Sequence, residues 1–226
     1  FKSPHSPKDI EQFNFNYRLS FLINQKIDAE ISITKSEHSN NHFRPDIIDS
    51  RFLAAIKGNG GPSGNQTWNI FDSNQNSQSL IDFVRGAEVS SKIADLTSLN
   101  GIFNTEIRGL GLAYGFQLNR ESLDINYDEI SRAEFDKDGK LIKTADLFFL
   151  GGGINLSKSR TSNAIFFELE KNAFENLDIR LAARYESMKN ESSFDPKISF
   201  KYMVSDLFTI RFSKGTAFSS PSMAQM

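Results

Sequence analysis

The chain has 226 residues and a formal charge of −2, with an isoelectric point near 6.0, which excludes the basic excess of a nucleic-acid binder. It has no cysteine, hence no disulfide frame, no cysteine-based zinc site and no thiol nucleophile, although secretion stays open because oxidising compartments permit disulfides without requiring them. No apolar run reaches the ~18 residues of a spanning helix, but a transmembrane barrel needs strands of only about 9–11 residues, half of them apolar.

The chain begins at Phe1 with no basic, apolar leader, so the expectation is a removed leader or a piece of something longer. Residues 1–10 are polar and proline-containing, a loop. In QFNFNYRLSFLI, Phe13, Phe15, Tyr17, Leu19, Phe21 and Ile23 alternate with Asn14, Asn16, Arg18 and Ser20, which predicts a strand with one apolar face. Asn24-Gln25-Lys26 reads as a turn into a second strand, where Ile27, Ala29, Ile31 and Ile33 alternate with Asp28, Glu30, Ser32 and Thr34. From Ser36 to about Glu88 the alternation stops, which predicts a long loop centred on GNGGPSGN, with short helical turns at Asp49–Ile56 and Ser79–Arg85. A connection of that length inside a compact domain points to function.

Val89–Leu99 reads as a weaker strand, Asn100-Gly101 and the residues to Ile107 as a turn, and RGLGLAYGFQLN as a strand with Leu110, Leu112, Tyr114, Phe116 and Leu118 on one face. A second long loop is expected over about 121–161, with a plain turn at Asp136–Gly139. Ile165, Phe167 and Leu169 then alternate with Ala164, Phe166 and Glu168, and residues 172–176 turn into LDIRLAARYESM (Leu177–Met188). There Leu177, Ile179, Leu181, Ala183 and Tyr185 oppose Asp178, Arg180, Arg184 and Glu186. A short loop at 190–194 precedes PKISFKYMV, and Ser205-Asp206 leads to LFTIRFSKG.

These are about eight strands. Tight turns at 24–26, 100–107, 172–176 and 205–206 fall on one side; the connections at 36–88, 121–161, 190–194 and after Gly215 fall on the other. Short turns on one rim and long loops on the other predict an all-β, antiparallel, up-and-down transmembrane barrel segment. A soluble sheet with a one-sided core would also carry charges opposite its apolar face, so alternation alone leaves both readings open.

At this point the ordered series DLFFLGGG (Asp146–Gly153), AIFFELE (Ala164–Glu170), ENLDIRLAARYE (Glu175–Glu186), FDPKISFKY (Phe194–Tyr202) and FTIRFSKGTAFSSPSMAQ (Phe208–Gln225) resembles the barrel of TonB-dependent outer-membrane receptors. GNGGPSGNQTWNIF (Gly58–Phe71) is similar to their glycine-rich extracellular loop and LGLAYGFQLNRE (Leu110–Glu121) to the strand that follows it. Relatives commonly carry a cysteine pair in that loop and Phe-Arg-Ala-Pro where this chain has Phe218-Ser219-Ser220-Pro221. The family's plug domain, TonB box and aromatic C-terminus are missing from these residues. Against a family barrel of about 22 strands, the expectation is an internal fragment with residues 1–226 as partial barrel wall.

The resemblance implies an outer-membrane location, lipid around the barrel, and energised uptake of a scarce small molecule or oligosaccharide by the intact receptor. Siderophore-iron, cobalamin and glycan are the candidate classes. The plug and TonB would engage through parts of the chain not in this sequence. The alternatives are a passive porin-like channel and a soluble or surface β-sheet binding protein.

For chemistry, His38 and His42 have a metal spacing only on a helix, which SEHSNNH disfavours, so an exposed loop is expected. Gly109 and Gly111 lie in an alternating strand, not at a strand-to-helix turn, so they make no phosphate cradle. No Ser-His-Asp pairing and no GxSxG appear; neither an enzyme nor a cofactor is expected. Glu168, Arg180, Arg184, Lys201 and Arg211 share the polar parity and are candidate lumen or plug contacts. Trp68, Asn69 and Phe71, on the longest loop, are candidate ligand contacts, weighed against simple anchoring of that loop.

Overall fold

A computed structural model describes residues 5–189 and 191–223. The expected polar start at 1–4, residue 190 of the expected loop at 190–194, and residues 224–226 of the last motif lie outside these. Eight antiparallel strands form one sheet: β1 (Lys8–Ile23), β2 (Ile27–Ile47), β3 (Arg85–Ile107), β4 (Leu110–Tyr127), β7 (Leu156–Phe174), β8 (Leu177–Met188), β9 (Glu191–Ser205) and β10 (Phe208–Gly215). Their spatial order is their order along the chain, so the sheet is up-and-down, with β1 and β10 as its edges. Two helices, α1 (Asp49–Ile56) and α2 (Gln78–Val84), lie between β2 and β3, and a small ribbon of β5 (Glu134–Phe135) and β6 (Leu141–Lys143) lies between β4 and β7. The expected all-β barrel segment of about eight strands is what the chain forms.

Several boundaries differ from the sequence expectation. The loop expected from residue 36 begins only after Ile47, because β2 continues through SEHSNNHFRPDI. His38 and His42 therefore sit on a strand, not a loop. The turn expected at 100–107 is strand, and the reversal comes at Arg108 and Gly109, both with positive φ (52° and 71°), the backbone of a two-residue hairpin turn. Asn24 and Gln25 make the same turn between β1 and β2. The loop expected over 121–161 spans only 128–155, since β4 runs to Tyr127 and β7 starts at Leu156. The stretch added to β2 is mostly polar on both faces and is held by ladder hydrogen bonds. The stretch added to β4 does alternate, Leu123, Ile125 and Tyr127 against Ser122, Asp124 and Asn126, a period of two inside the expected loop.

The chain divides into two compact units. One comprises Phe1–Gln12, His38–Ala94 and Leu123–Ser157. Its core is Ala55, Leu80 and Val84, with Ile47, Phe52, Trp68 and Phe83 packed against it. The other comprises Phe13–Glu37, Asp95–Ser122 and Lys158–Met226. It is a sheet whose apolar rows face outward: Phe13, Phe15, Tyr17 and Leu19 on β1 are 49–57% exposed. In register across β7, β8 and β9, Ile165 meets Tyr185 and Tyr185 meets Phe194, while Leu169 meets Leu181 and Leu181 meets Ile198. Each of these side chains but Leu169 is itself exposed.

Candidate functional site

On the opposite face of the same strands the charged residues are paired with one another. Register sets Glu170 beside Arg180 and Arg180 beside Ser199. The Arg180 guanidinium reaches Glu168 at 3.1 Å and Glu170 at 2.8 Å, joining β8 to β7. Lys201 reaches Asp178 at 3.2 Å from β9 to β8. Arg184 donates to Gln117 on β4 at 2.8 Å and to Glu186 through Nε and Nη2 at 3.1 and 3.0 Å. Among the described residues Arg211 has no ion pair; it stands opposite Lys201 in register. Pairs this exposed contribute about 0–1 kcal/mol each in water, so the ladder is weak as a source of stability. Its chemical capacity is a surface of fixed, alternating charge that a polar solute or a polar protein surface can replace bond for bond.

The parity argument thus brings Glu168, Arg180, Arg184, Lys201 and Arg211 onto one face. It misses their neutral companions. Ser98 donates to Asn119 at 2.7 Å, and Asn119 donates to Ser162 at 3.3 Å, threading β3, β4 and β7 with uncharged bonds. Phe166, an aromatic on the polar parity, lies over Gly115, where a Cβ would collide with the Gly101 carbonyl and stand 2.6 Å from the ring. Only glycine lets the backbone of β4 approach so closely. A phenylalanine out of parity opposite a strand glycine is the signal that marks this contact.

The other unit holds the loop residues. Trp68 does not face outward; its ring packs edge-on against Phe52 at 5.7 Å and joins the loop's own core. Gly60 lies so close to α1 and α2 that a Cβ would come within 2.7 Å of both Ala55 and Leu80. Asn69 organises the next turn: its side-chain oxygen accepts from the Phe71 and Asp72 amides, both at 2.9 Å, and its amide donates to Asn76 at 2.8 Å. That frame presents Phe71 at 95% exposure with Ile70 beside it at 63%. Of the three candidate ligand contacts, Trp68 builds, Asn69 braces and Phe71 protrudes.

Two aspartates, Asp46 just before this loop and Asp146 far along the chain, tie residues 46–50 to residues 146–150, and nothing local in the sequence marks them. Residue 48, at the N-cap of α1, is isoleucine and makes no side-chain cap bond. Asp146 supplies the missing acceptor, taking the Ser50 amide at 2.8 Å and its hydroxyl at 2.6 Å. Asp46, nearly buried, accepts from the amides of Ile47, Phe149 and Leu150 at 2.7–3.2 Å. Asp146→Ala is expected to cost about 1 kcal/mol, as loss of a helix cap does. Faster amide exchange confined to the first turn of α1 would show it; unchanged exchange there would mean that water replaces the carboxylate at no cost.

A family model described as TonB dependent receptor-like, beta-barrel, matches residues 1–226, the whole sequence. No curated protein matches the chain.

Proposed function

The chain belongs to the TonB-dependent receptor-like β-barrel family of outer-membrane receptors and transporters, and on that premise we propose that it is barrel wall of an active importer. The intact protein would take up a scarce nutrient of the siderophore-iron, cobalamin or glycan class with energy from TonB. Members of this family are transporters, not enzymes. Residues 1–226 would be one partial barrel, with the connections at 48–84 and 128–155 outside the cell and the two-residue turns on the periplasmic side. Phe71 would meet the arriving ligand. Glu168, Arg180, Arg184, Lys201 and Arg211 would face a plug or the substrate path.

The observation that carries the membrane reading is the outward apolar surface of β1 and β7–β10. Rows of exposed aromatic and aliphatic side chains such as those that run from strand to strand across β7, β8 and β9 are rare on a soluble monomer and necessary in lipid.

The intact receptor should fractionate with outer membranes, resist extraction by alkaline carbonate, and change gel mobility on boiling. A chain folded in the aqueous phase without detergent would overturn the reading. Uptake should stop when the proton gradient is dissipated; uptake that continues would favour the passive channel.

A further inference from the structure

After Gly215, which still pairs with Lys197, the chain leaves the edge strand and turns over the polar face. The Thr216 amide makes one more bond, to the Pro196 carbonyl at 3.1 Å. The next fixed point is on β7: Arg160 donates through Nη1 to the Ser220 hydroxyl at 3.1 Å and to the Pro221 carbonyl at 2.8 Å. β9 and β8 lie between β10 and β7, and the row of Gly215 meets β7 at Glu168. To reach Arg160 the segment therefore runs across β9 and β8 and also along them toward the start of β7.

Arg160 is itself held. Its Nε donates to Glu121 of β4 at 2.7 Å, and its side chain is only 20% exposed. Between the segment and the strands lies a partly open cleft of about 460 Å³ lined by Arg184, Glu186, Asp195 and Lys197 together with Phe166 and the segment's own Phe218. The crossing segment buries little: Thr216, Ala217, Ser219 and Pro221 are exposed, Ser220 is half-buried, and Phe218, 37% exposed, is its one large apolar contact. With so little apolar burial, its position leans on polar bonds, the charge-assisted ones from the Arg160 guanidinium among them.

We propose that Thr216–Pro221 is a strap latched across the polar face by Arg160, with Glu121 aiming the latch, and that its release uncovers this cleft. The strap lies on the face that the proposed importer turns inward, and the functional consequence rests on that reading; the latch itself does not. A segment with two fixed ends and little core has two states, and a solute or protein surface that competes for Arg160 selects the open one.

The test uses the intact receptor with a nitroxide on Ser219→Cys. The label should be immobilised in the parent, lose its immobilised component with Arg160→Gln, and lose part of it with Glu121→Gln. A label already mobile in the parent, or unmoved by Arg160→Gln, overturns the latch. If Arg160→Gln fails to fold, as judged by gel mobility before boiling, Ser220→Ala removes one latch bond from the strap side and should mobilise the label in part. No change then overturns the proposal as well. Ala182→Cys, beneath the strap, should react faster with a hydrophilic maleimide once Arg160 is replaced; an unchanged rate would mean that the strap covers nothing. Failure to fractionate with membranes would sink the importer while leaving the label result to decide the latch.

Discussion

Arginine in place of Leu181 is expected to cost about 2–4 kcal/mol of insertion free energy near the bilayer midplane, and arginine at neighbouring Ala182 far less. Leu181 is 43% exposed on the apolar face, with Leu169 and Ile198 as register neighbours. A guanidinium there has no partner and must displace lipid. Ala182 lies one residue on, between Glu168 and Lys197 on the polar face, where a cation finds a carboxylate and water. Denaturant titration of the receptor refolding into lipid vesicles measures both. Equal losses would mean that the face assigned to lipid is wrong.

The second large effect concerns the loop. Leu80→Ala should destabilise the loop cluster by about 2–5 kcal/mol, the usual cost of emptying a buried leucine site. Leu80 is 2% exposed and packs with Ala55 and Val84, beside the close approach of Gly60. The loss should stay near the loop, because, of the described sheet residues, only Ile47, at the end of β2, packs against this core. Hydrogen exchange should quicken at the Gly60 and Gln66 amides, which bond across the turn at 2.8 and 2.9 Å, and at Trp68, which bonds to Ala55 at 2.9 Å. Phe71→Ala, by contrast, should stay within about 0.5 kcal/mol, as surface substitutions do. If Leu80→Ala left the Trp68 amide protected, the loop would not be held by its core.

The difference between these two experiments follows how each feature is encoded. Leu181 and Ala182 can be assigned to faces from the sequence, because a strand with lipid on one side must repeat every second residue. The same rule fails at residues 38–47, a mostly polar stretch whose strand conformation rests on ladder hydrogen bonds. It also misleads at Asn100-Gly101, which has turn chemistry but lies within β3, with the Phe116 ring over Gly101. The true turn uses Arg108, a residue that gives no turn signal because its left-handed backbone is imposed by the hairpin. For Trp68 the sequence leaves ligand contact and loop anchoring both open, and the fold packs it against the loop core, since exposure depends on what α1 and α2 bring against it.

By itself the sequence determined the strand order, the hairpins on one side, the two faces of β1 and β7–β10, and the presence of two short helices between the second and third strands. These are local properties, written in period two and in turn residues. Only the tertiary structure decided that Asp146 caps α1, that Asp46 ties residues 149–150 to the end of β2, and that Arg160 holds the chain beyond β10. Each joins groups dozens of residues apart through one or two directed hydrogen bonds, and a single bond between distant positions leaves no periodic trace in a chain.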